Sequence, residues 1–318
     1  MLRIALIGCG EHSRLHHASA MARYVRWREQ ELELSAACDL DLPRAEAFCR
    51  EFGFKAAYAD WRKLVAEVRP DGVVCVMPQR TVVDMGVALL EAGVVCTIEK
   101  PLGESIAQAR RLAEVAQRTG TPHMVSVNRR FSPYLNRSLE WVGQHGPVRL
   151  LRATMLRSGR GEADFLWATG IHLVDACCHL AGRIVRIEPK TLSVGDRHGQ
   201  WQTLTAEFDS GIIGQVTIAP TAGAVEESYE LLGQDYAIRA VVLGPEGPRA
   251  TLRYRRGDQL YVERFTPAQD EPLCVQEGAY DEFAHFVACL RDRKPPTPTV
   301  ADILPGMEVC FQLAGKTG

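Results

Sequence analysis

Lys100 stands where a lysine can do acid–base chemistry. It follows the apolar residues 94–98 and Glu99, and Pro101 after it restricts the direction of the chain. If the apolar run is a parallel strand, Lys100 lies at the edge where open α/β sheets bind their ligands. A cation at that edge can hold a reacting hydroxyl and stabilise negative charge on its oxygen. The alternative is an ordinary surface lysine, while Glu99 either orients Lys100 or holds the end of the strand.

His172 and Asp175 are a second pair of groups that can exchange protons. They are three residues apart in the predicted helix 169–181, so they share one face of it, and His179 follows one turn later. The alternative is a structural pair, and His179 alone is expected in the core or on the surface.

The segment Gly8-Cys9-Gly10-Glu11-His12-Ser13 has the spacing of a phosphate-binding loop and follows the apolar run Leu2–Ile7. Gly8 permits a tight turn, Gly10 lets the backbone approach a pyrophosphate, and the next helix supplies N–H donors at its N-terminus. Ser13 replaces the third glycine of the strict pattern but is small enough for close packing. The segment predicts dinucleotide binding, and a merely structural glycine turn is the alternative.

Asp39 ends the second predicted strand, Leu32–Cys38, where an acidic residue typically binds the ribose of a dinucleotide. A long first helix and loop explain why it lies further from the glycines than usual. A carboxylate there repels a 2′-phosphate, which favours NAD over NADP, but Arg44 is close enough in sequence to bind that phosphate. Alternatively, Asp39 or Asp41 only caps the next helix.

The elements that must position these residues change in character near residue 122. Before it, short apolar runs alternate with amphipathic segments, which predicts a doubly wound parallel sheet, a Rossmann domain spanning residues 1–122. Its strands are predicted at residues 2–7, 32–38, 55–57, 72–76 and 94–98, with a sixth at 124–127 at the exit. Helix ends are marked by Pro43, Gly53, Gly93, Gly120 and the capping box Ser105-Ile-Ala-Gln108.

Residues 123–318 are predicted to form an α+β domain with a large open, mostly antiparallel sheet. Its strands are predicted at residues 148–157, 184–194, 201–208, 212–219, 229–232, 237–243, 250–255 and 260–265. The predicted helices at 169–181, 280–291 and 300–314 cannot cover both sides of this sheet. One face of the sheet is therefore expected to be exposed.

Composition excludes several classes of protein. Hydrophobic residues make up 46% of the 318 residues and charged residues 24%, and the formal net charge is −2, so neither nucleic acid nor a membrane is an expected partner. The scattered cysteines and the lack of a signal-peptide pattern predict reduced thiols and a cytoplasmic location. No metal site is predicted, because there is no Cys-x-x-Cys and the adjacent Cys177-Cys178 cannot both face one ion from a helix.

In the order and spacing of its motifs, nearly the whole chain resembles the Gfo/Idh/MocA oxidoreductases. The motifs are the glycine segment, Cys38-Asp39-Leu-Asp41, Met77-Pro78, Glu99-Lys100-Pro101, Asn128-Arg129-Arg130-Phe131, Gly170-Ile171-His172-Leu173-Val174-Asp175, and the closing Tyr280-Asp-Glu-Phe with Pro295-Pro296. The resemblance implies a Rossmann domain, an open-sheet α/β domain, and oxidation or reduction of sugars and cyclitols.

The resemblance also implies roles for particular residues. Lys100 and His172 are the expected catalytic groups, with Asp175 orienting His172 or binding substrate. The expected cofactor-binding residues are Gly8, Gly10, Glu11, His12, Ser13, Asp39, Arg44, Met77, Pro78, Glu99 and Lys100.

Two positions depart from the family pattern. Ala168 stands four residues before His172, where several sugar-oxidising relatives carry Asp, and Val82 stands where many carry His. Either the substrate differs, or a residue of the preceding loop replaces the lost contact; the candidates are Asp164, Arg157 and Arg160. Arg129 and Arg130 either bind an anionic substrate group or are solvated surface residues.

The sequence thus predicts an NAD(P)-dependent oxidoreductase that transfers a hydride between nicotinamide and a CH–OH carbon of a sugar, sugar derivative or cyclitol. Its expected partners are a carbohydrate-like small molecule and further copies of the chain, as a homodimer or homotetramer. Two alternatives remain open. One is a non-catalytic sensor or scaffold that keeps the dinucleotide site, and the other is a redox-neutral, NAD-using glycosidase or lyase.

Overall fold

The computed structural model describes residues 1–28, 31–194 and 200–316. The chain divides into two compact units, one of Met1–Asn128 with Pro272–Leu304 and the other of Arg129–Glu271 with Pro305–Gly318. The first unit therefore extends past the predicted boundary at residue 122, and it also includes the segment Pro272–Leu304 near the end of the chain. The predicted second domain, residues 123–318, also includes residues 195–199 and 317–318, which lie outside the described residues.

The strands match the sequence-based prediction closely in number and position. Along the described chain they are β1 (Leu2–Ile7), β2 (Leu32–Cys38), β3 (Ala56–Tyr58), β4 (Gly72–Cys75), β5 (Cys96–Glu99), β6 (His123–Ser126), β7 (Val148–Leu156), β8 (Ile184–Ser193), β9 (Gln200–Phe208), β10 (Ile213–Ala219), β11 (Glu226–Gly233), β12 (Tyr236–Leu243), β13 (Arg249–Arg256) and β14 (Gln259–Phe265).

The helices include several that the sequence analysis did not predict individually. The described helices are α1 (Ser19–Trp27), α2 (Leu42–Phe52), α3 (Trp61–Val68), α4 (Val82–Glu91), α5 (Ile106–Thr119), α6 (Pro133–His145), α7 (Phe165–Ala168), α8 (Gly170–Ala181), α9 (Leu273–Gln276), α10 (Ala279–Asp292) and α11 (Val300–Leu313). A π-helical segment, Ser13–Ala18, precedes α1 directly. Among the described residues, no helix combines the length and the apolar character needed to cross a membrane.

The first unit contains a parallel sheet in the order β3-β2-β1-β4-β5-β6. This is the strand order of a Rossmann fold, and it confirms the predicted doubly wound sheet. β6 pairs with β5 in parallel, with Cys96 opposite His123 and Glu99 opposite Ser126, so the sixth strand belongs to this sheet. This pairing is why the first unit continues beyond residue 122.

The segment 272–304 returns to the first unit because its apolar residues complete the core there. Phe283 and Val287 of α10 are buried in one hydrophobic cluster with residues of β1 and α2. The ring of Phe283 meets Tyr24 of α1 edge to face, with centroids 5.5 Å apart. A Cβ at Gly72 would lie 2.7 Å from Leu290 Cδ1, so the start of β4 and α10 are in close contact.

Helix ends in the first unit follow the predicted capping residues. The Asp41 side chain accepts a hydrogen bond from the Arg44 N–H at the start of α2, and Gly53 ends that helix at φ +87°. Ser105 accepts from the Gln108 N–H, while Gln108 Oε1 accepts from the Glu104 N–H. These reciprocal contacts fix the start of α5, which follows Lys100 by a few residues.

The second unit contains a sheet in the order β14-β13-β12-β11-β7-β10-β9-β8. β7 and β10 run parallel and the other neighbouring pairs in the described sheet are antiparallel, which confirms the predicted mostly antiparallel sheet. Burial alternates along β7: Leu151, Ala153 and Met155 are buried, whereas Arg152 is exposed. The second face of the sheet is therefore accessible along β7, in line with the exposed face that the sequence predicts.

Candidate functional site

A cavity of about 690 Å³ lies at the carboxyl ends of the strands of the first unit. Open α/β sheets bind their ligands at this edge, where the strand order reverses between β1 and β4. Every residue predicted to bind the cofactor lines the cavity: Gly8, Gly10, Glu11, His12, Ser13, Asp39, Arg44, Met77, Pro78, Glu99 and Lys100. The lining also includes Leu40, Trp61, Thr81 and Met85, which the sequence analysis did not single out.

The glycine segment leaves room for a ligand to approach its backbone. Gly8 has φ +95°, and a Cβ there would lie 1.9 Å from Val76 O, so no other residue fits this turn. A Cβ at Gly10 would meet no protein atom within 4 Å and would project into space at the cavity wall. Gly10 is therefore not required by the protein's own packing, and its free surface suits a pyrophosphate lying against the backbone.

Asp39 connects the glycine segment to the loop after β2. Its Oδ2 accepts a hydrogen bond from the Cys9 N–H at 2.9 Å, and its Oδ1 accepts from the Asp41 N–H at 3.0 Å. Arg44 places Nη1 3.5 Å from Asp39 Oδ1 and Nη2 3.3 Å from Asp41 Oδ2, and its side chain is 51% exposed. Asp39, predicted to bind the ribose, and Arg44, predicted as a possible partner of a 2′-phosphate, thus lie at the same end of the cavity. Their positions allow either role.

Glu99, at the end of β5, is held by two histidines. His12 Nε2 and His17 Nε2 each lie 3.1 Å from Glu99 Oε1, and Glu99 is 5% exposed. Burial alone raises the pKa of Glu99, but the contacts with His12 and His17 and the charge of Lys100 outweigh burial and hold that pKa well below its usual range. Burial lowers the pKa of His17 despite its contact with Glu99. Glu99 is therefore an ionised carboxylate beside Lys100.

Lys100 directly follows β5 and is half-buried in the wall of the cavity. It therefore lies at the edge of the sheet where the sequence analysis predicted it. The structure thus places the predicted catalytic lysine and the predicted cofactor residues around one cavity of the first unit.

In the second unit, Asp175 of α8 forms a bidentate ion pair with Arg130. Its two oxygens accept hydrogen bonds from Arg130 Nε at 2.9 Å and Nη2 at 2.8 Å, and Asp175 is 1% exposed. His172 lies one turn earlier on α8 and is half-buried. The carboxylate predicted to orient His172 or to bind substrate is thus already bound to a guanidinium.

A buried carboxylate between two arginines lies next to this pair on β11. Glu227 is completely buried and accepts hydrogen bonds from Arg129 Nε at 2.7 Å and from Arg157 Nη2 at 2.6 Å. Tyr229 adds a third hydrogen bond, from its hydroxyl to Glu227 Oε1 at 3.0 Å. Burial raises the pKa of Glu227, but the charges of Arg129 and Arg157 outweigh it and hold that pKa far below its usual range.

These ion pairs correct one expectation about the arginines. Arg129 is 7% exposed and is therefore not a solvated surface residue, and its Nε and Nη2 are bonded to a carboxylate of the protein. Arg157 is also buried and bonded to Glu227, and its substitution for the contact missing at Ala168 stays a prediction. Arg160 pairs with Glu162 and donates a hydrogen bond to Thr169 Oγ1 at 3.4 Å. Asp164 precedes α7 and is half-buried. Its substrate-binding role stays a prediction.

Val82 does not line the cavity, as a residue that contacts a substrate there would have to. Val82 is the first residue of α4 and is completely buried, whereas Thr81 and Met85 of the same region line the cavity. A residue at position 82 therefore points into the protein interior in this chain.

Two groups of residues escaped the sequence analysis. His17 lies five residues after His12, a spacing that does not place two side chains together on an α-helix, and the π-helical segment was not predicted. Glu227 and Tyr229 share one face of β11 by strand alternation, but the partner Arg129 is 98 positions away from Glu227. No local signal in the sequence links such distant residues.

Comparison with known proteins assigns the family. A family model described as an oxidoreductase family with an NAD-binding Rossmann fold, GFO_IDH_MocA, matches residues 2–128. Inositol 2-dehydrogenase of Corynebacterium glutamicum is 30% identical over 332 residues, which cover 91% of this chain and 92% of that protein. The chain belongs to the Gfo/Idh/MocA family.

Two further proteins resemble the chain over most of its length. D-apiose dehydrogenase of Paraburkholderia graminis is 26% identical over 336 residues, covering 94% of this chain and 83% of that protein. A solved structure of levoglucosan dehydrogenase in complex with NADH has a TM-score of 0.82 at 16% identity and covers 99% of this chain and 96% of its own. The second likeness shows a shared fold. Together with the family model, these relatives identify the chain as a nicotinamide-dependent dehydrogenase.

Proposed function

We propose that this member of the Gfo/Idh/MocA family oxidises or reduces a CH–OH carbon of a neutral sugar or cyclitol, with NAD as its preferred cofactor. The observation that carries the proposal is the cavity of the first unit, where Lys100 at the end of β5 lies in one wall with the glycine segment and Asp39. The names of the relatives, which include an inositol dehydrogenase and an apiose dehydrogenase, support this substrate class.

The chain's own residues supply binding and proton transfer in this proposal. The nicotinamide dinucleotide, when bound, accepts or supplies the hydride. Gly8 and Gly10 receive the pyrophosphate, and Lys100 donates a hydrogen bond to the reacting oxygen and stabilises its negative charge. Glu99 keeps the charge of Lys100 balanced and its position fixed. His172 is assigned the acid–base role from the family resemblance, with Asp175 holding Arg130 in place.

A neutral substrate is favoured by the way the second unit uses its arginines. Arg129, Arg130 and Arg157 are each hydrogen-bonded to a buried carboxylate of the protein. A phosphate or carboxylate of a substrate that took one of these hydrogen bonds away from Glu227 or Asp175 would break a buried pair, which typically costs about 3–5 kcal/mol. A neutral polyol can bind without breaking any of these ion pairs.

The carboxylates of Asp39 and Asp41, beside Arg44 in the cavity lining, favour NAD over NADP. Asp39 and Asp41 carry two negative charges there against the one positive charge of Arg44, so a 2′-phosphate meets net repulsion. A ribose hydroxyl can instead donate a hydrogen bond to a carboxylate.

We also infer a homo-oligomer assembled through the accessible face of the second unit's sheet, and a cytoplasmic location for the protein. The ten cysteines are all free thiols, and most of them are buried, which fits a reducing compartment.

The proposal is tested by a screen of cofactor reduction. The purified chain is incubated with NAD or NADP and with inositols, pentoses, glucosides, sugar phosphates and uronic acids, and absorbance of the reduced nicotinamide is followed. We expect reduction with at least one neutral member of the panel, faster with NAD. A rate confined to phosphorylated or acidic sugars contradicts the substrate class, and dinucleotide binding without reduction of any member contradicts the proposed activity.

A further inference from the structure

His12, His17 and Glu99 bring three metal-ligating atoms to one point beside the dinucleotide cavity. His12 Nε2, His17 Nε2 and Glu99 Oε1 all lie within 4.8 Å of one another. This is the one group of its kind found in the described part of the chain. Two imidazoles with one carboxylate form a donor set typical of a zinc site that keeps a position open for a further ligand.

The π-helical segment is what brings the two histidines together. On an α-helix, residues five apart point about 140° away from each other, so His12 and His17 could not share a ligand. The segment Ser13–Ala18 is π-helical, and its wider i→i+5 turn places the two side chains on the same side of the chain. π-helical turns cost stability and are frequent at functional sites.

The spacing of the atoms is close to that of a metal polyhedron. Both histidine nitrogens lie 3.1 Å from Glu99 Oε1. In a tetrahedral zinc site with bonds of about 2.0–2.2 Å, neighbouring ligand atoms are about 3.3 Å apart. The two contacts with Glu99 therefore need to change by only a few tenths of an ångström, and the remaining adjustment falls on His12, whose side chain is 52% exposed.

The second oxygen of Glu99 adds an independent observation. Glu99 Oε2 is buried and, among the described residues, has no hydrogen-bond partner. A buried carboxylate normally has both oxygens engaged, because leaving one unsatisfied costs free energy. A cation at the convergence point satisfies the charge of the whole carboxylate, and a small rotation of the carboxylate brings the second oxygen within reach of the ion.

We propose that His12, His17 and Glu99 bind a divalent transition-metal ion of the zinc type in the wall of the dinucleotide cavity. The ion takes Nε2 of each histidine and the carboxylate of Glu99, and its open position faces the cavity that His12 and Glu99 line. This site is independent of the proposed substrate and of the assignment of His172, but it shares Glu99 with the proposed positioning of Lys100. The cysteine spacing, from which no metal site was predicted, carries no information about this cluster.

Cobalt substitution tests the site on the full chain. Co²⁺ in a tetrahedral site with nitrogen and oxygen ligands has an intense visible d–d absorption band, whereas octahedral, water-bound Co²⁺ absorbs only weakly and at shorter wavelength. We expect chelator-treated protein to develop this band with one equivalent of Co²⁺ and to lose it when Zn²⁺ is added. No band, with Co²⁺ in excess over protein, overturns the proposal and leaves a histidine–carboxylate hydrogen-bond network only.

Three variants locate the ion. His12→Ala removes a half-exposed ligand and is expected to weaken Co²⁺ binding at least about 100-fold, beyond the usual effect of losing an outer-shell partner. Glu99→Gln should do the same, and circular dichroism reports whether this variant is folded. His16→Ala is the matched control, because His16 contacts Glu277 instead, with 3.1 Å between Nδ1 and Oε2. Equal affinities of His12→Ala and the parent, or equal losses in His12→Ala and His16→Ala, overturn the assignment.

Discussion

Lys100 follows a carboxylate that the protein holds in place by itself. Glu99 is fixed by two histidines, so the ammonium beside it has a permanent countercharge and a defined position at the end of β5. A positioned cation stabilises negative charge on a substrate oxygen without having to reorganise. Lys100 and His172, the proposed acid–base group, are therefore the single residues whose replacement should lower turnover most.

Replacing Lys100 is expected to affect turnover and to spare cofactor binding. Lys100→Met should lower the turnover rate by about 10²–10⁴-fold, the usual effect of losing a positioned acid–base group, while the dissociation constant of NAD changes little. Steady-state kinetics and fluorescence titration measure the two quantities. Lys63→Met, at an exposed lysine of α3, is the control and should leave both unchanged. A Lys100→Met rate within about threefold of the parent contradicts the catalytic role.

Asp39 is expected to set the preference between cofactors. Asp39→Asn keeps an acceptor oxygen for the Cys9 N–H but removes the charge that repels a 2′-phosphate. Charge-assisted hydrogen bonds contribute roughly 1.5–3 kcal/mol, so the ratio of NADP to NAD dissociation constants should fall by about tenfold or more. Asp84→Asn, at an exposed residue of α4 that pairs with Arg111 outside the cavity lining, is the control and should leave this ratio unchanged. Tighter binding of NADP by the unmodified chain would show that Arg44 dominates instead.

At the scale of elements, β11 carries a buried charge on one face and exposed charges on the other. Glu227 is completely buried between Arg129 and Arg157, whereas Glu230 lies 3.8 Å from Arg152 and from Arg239 at the accessible face. A buried carboxylate that pairs with two buried guanidinium groups can be removed only by leaving positive charge unpaired inside the protein. The exposed pairs are screened by water and contribute little.

Glu227→Gln should therefore destabilise the protein by about 3–5 kcal/mol, whereas Glu230→Gln should cost less than about 1 kcal/mol. Urea unfolding of the two variants measures the difference. Because the pKa of Glu227 is lower in the folded than in the unfolded protein, its contribution is present above the unfolded pKa and is lost as the pH falls toward the folded one. The gap between parent and Glu227→Gln should thus shrink in acid. Equal stabilities of the two variants would contradict the importance of the buried pairs.

The sequence predicts the strands and capped helices well because their signals are local. The run Leu2–Ile7 is apolar from end to end, and Ser105 with Gln108 marks the start of α5 within four residues. The π-helical segment has no such signal, since His12 and His17 become neighbours only when the helix accommodates an extra residue. The return of α10 to the first unit was missed for a related reason: burial of Phe283 against Tyr24 is a contact between the two ends of the chain.

The candidate site is predictable to the extent that its residues belong to local motifs. The glycine segment, Asp39 and Lys100 each follow a strand of the same parallel sheet, so the topology alone brings them to one edge. The engagement of Arg129 by Glu227 and of Arg130 by Asp175 depends on side chains 98 and 45 positions apart. Sequence spacing carries no information about such partners, so it could not show that carboxylates of the protein hold these arginines.

At the scale of the whole molecule, the accessible sheet face carries complementary charges on β7, β11 and β12. Arg152 donates a hydrogen bond to Gln215 at 3.1 Å, and Arg239 donates to Glu226 at 2.6 Å. Positive and negative side chains alternate across neighbouring strands of this face. A second copy turned by a two-fold axis would meet the same charges in reverse order and could pair with them.

Sedimentation velocity at micromolar concentration is expected to show a dimer or tetramer. Arg152→Glu places a negative charge beside Glu230 and should shift the distribution toward the monomer through repulsion across the face. Arg62→Glu, on an exposed helix of the first unit, is the matched control and should leave the assembly unchanged. A monomeric parent chain at this concentration would contradict assembly through the sheet.

The central claim is that this chain transfers a hydride to or from a sugar or cyclitol, with a net change in the oxidation state of its cofactor. The measurement that tests it most directly is the amount of NADH formed for each molecule of the best neutral substrate consumed, with the substrate and its product quantified by chromatography. The account predicts equal amounts of NADH and oxidised product. Consumption of substrate with no net NADH would identify a redox-neutral enzyme and contradict the account.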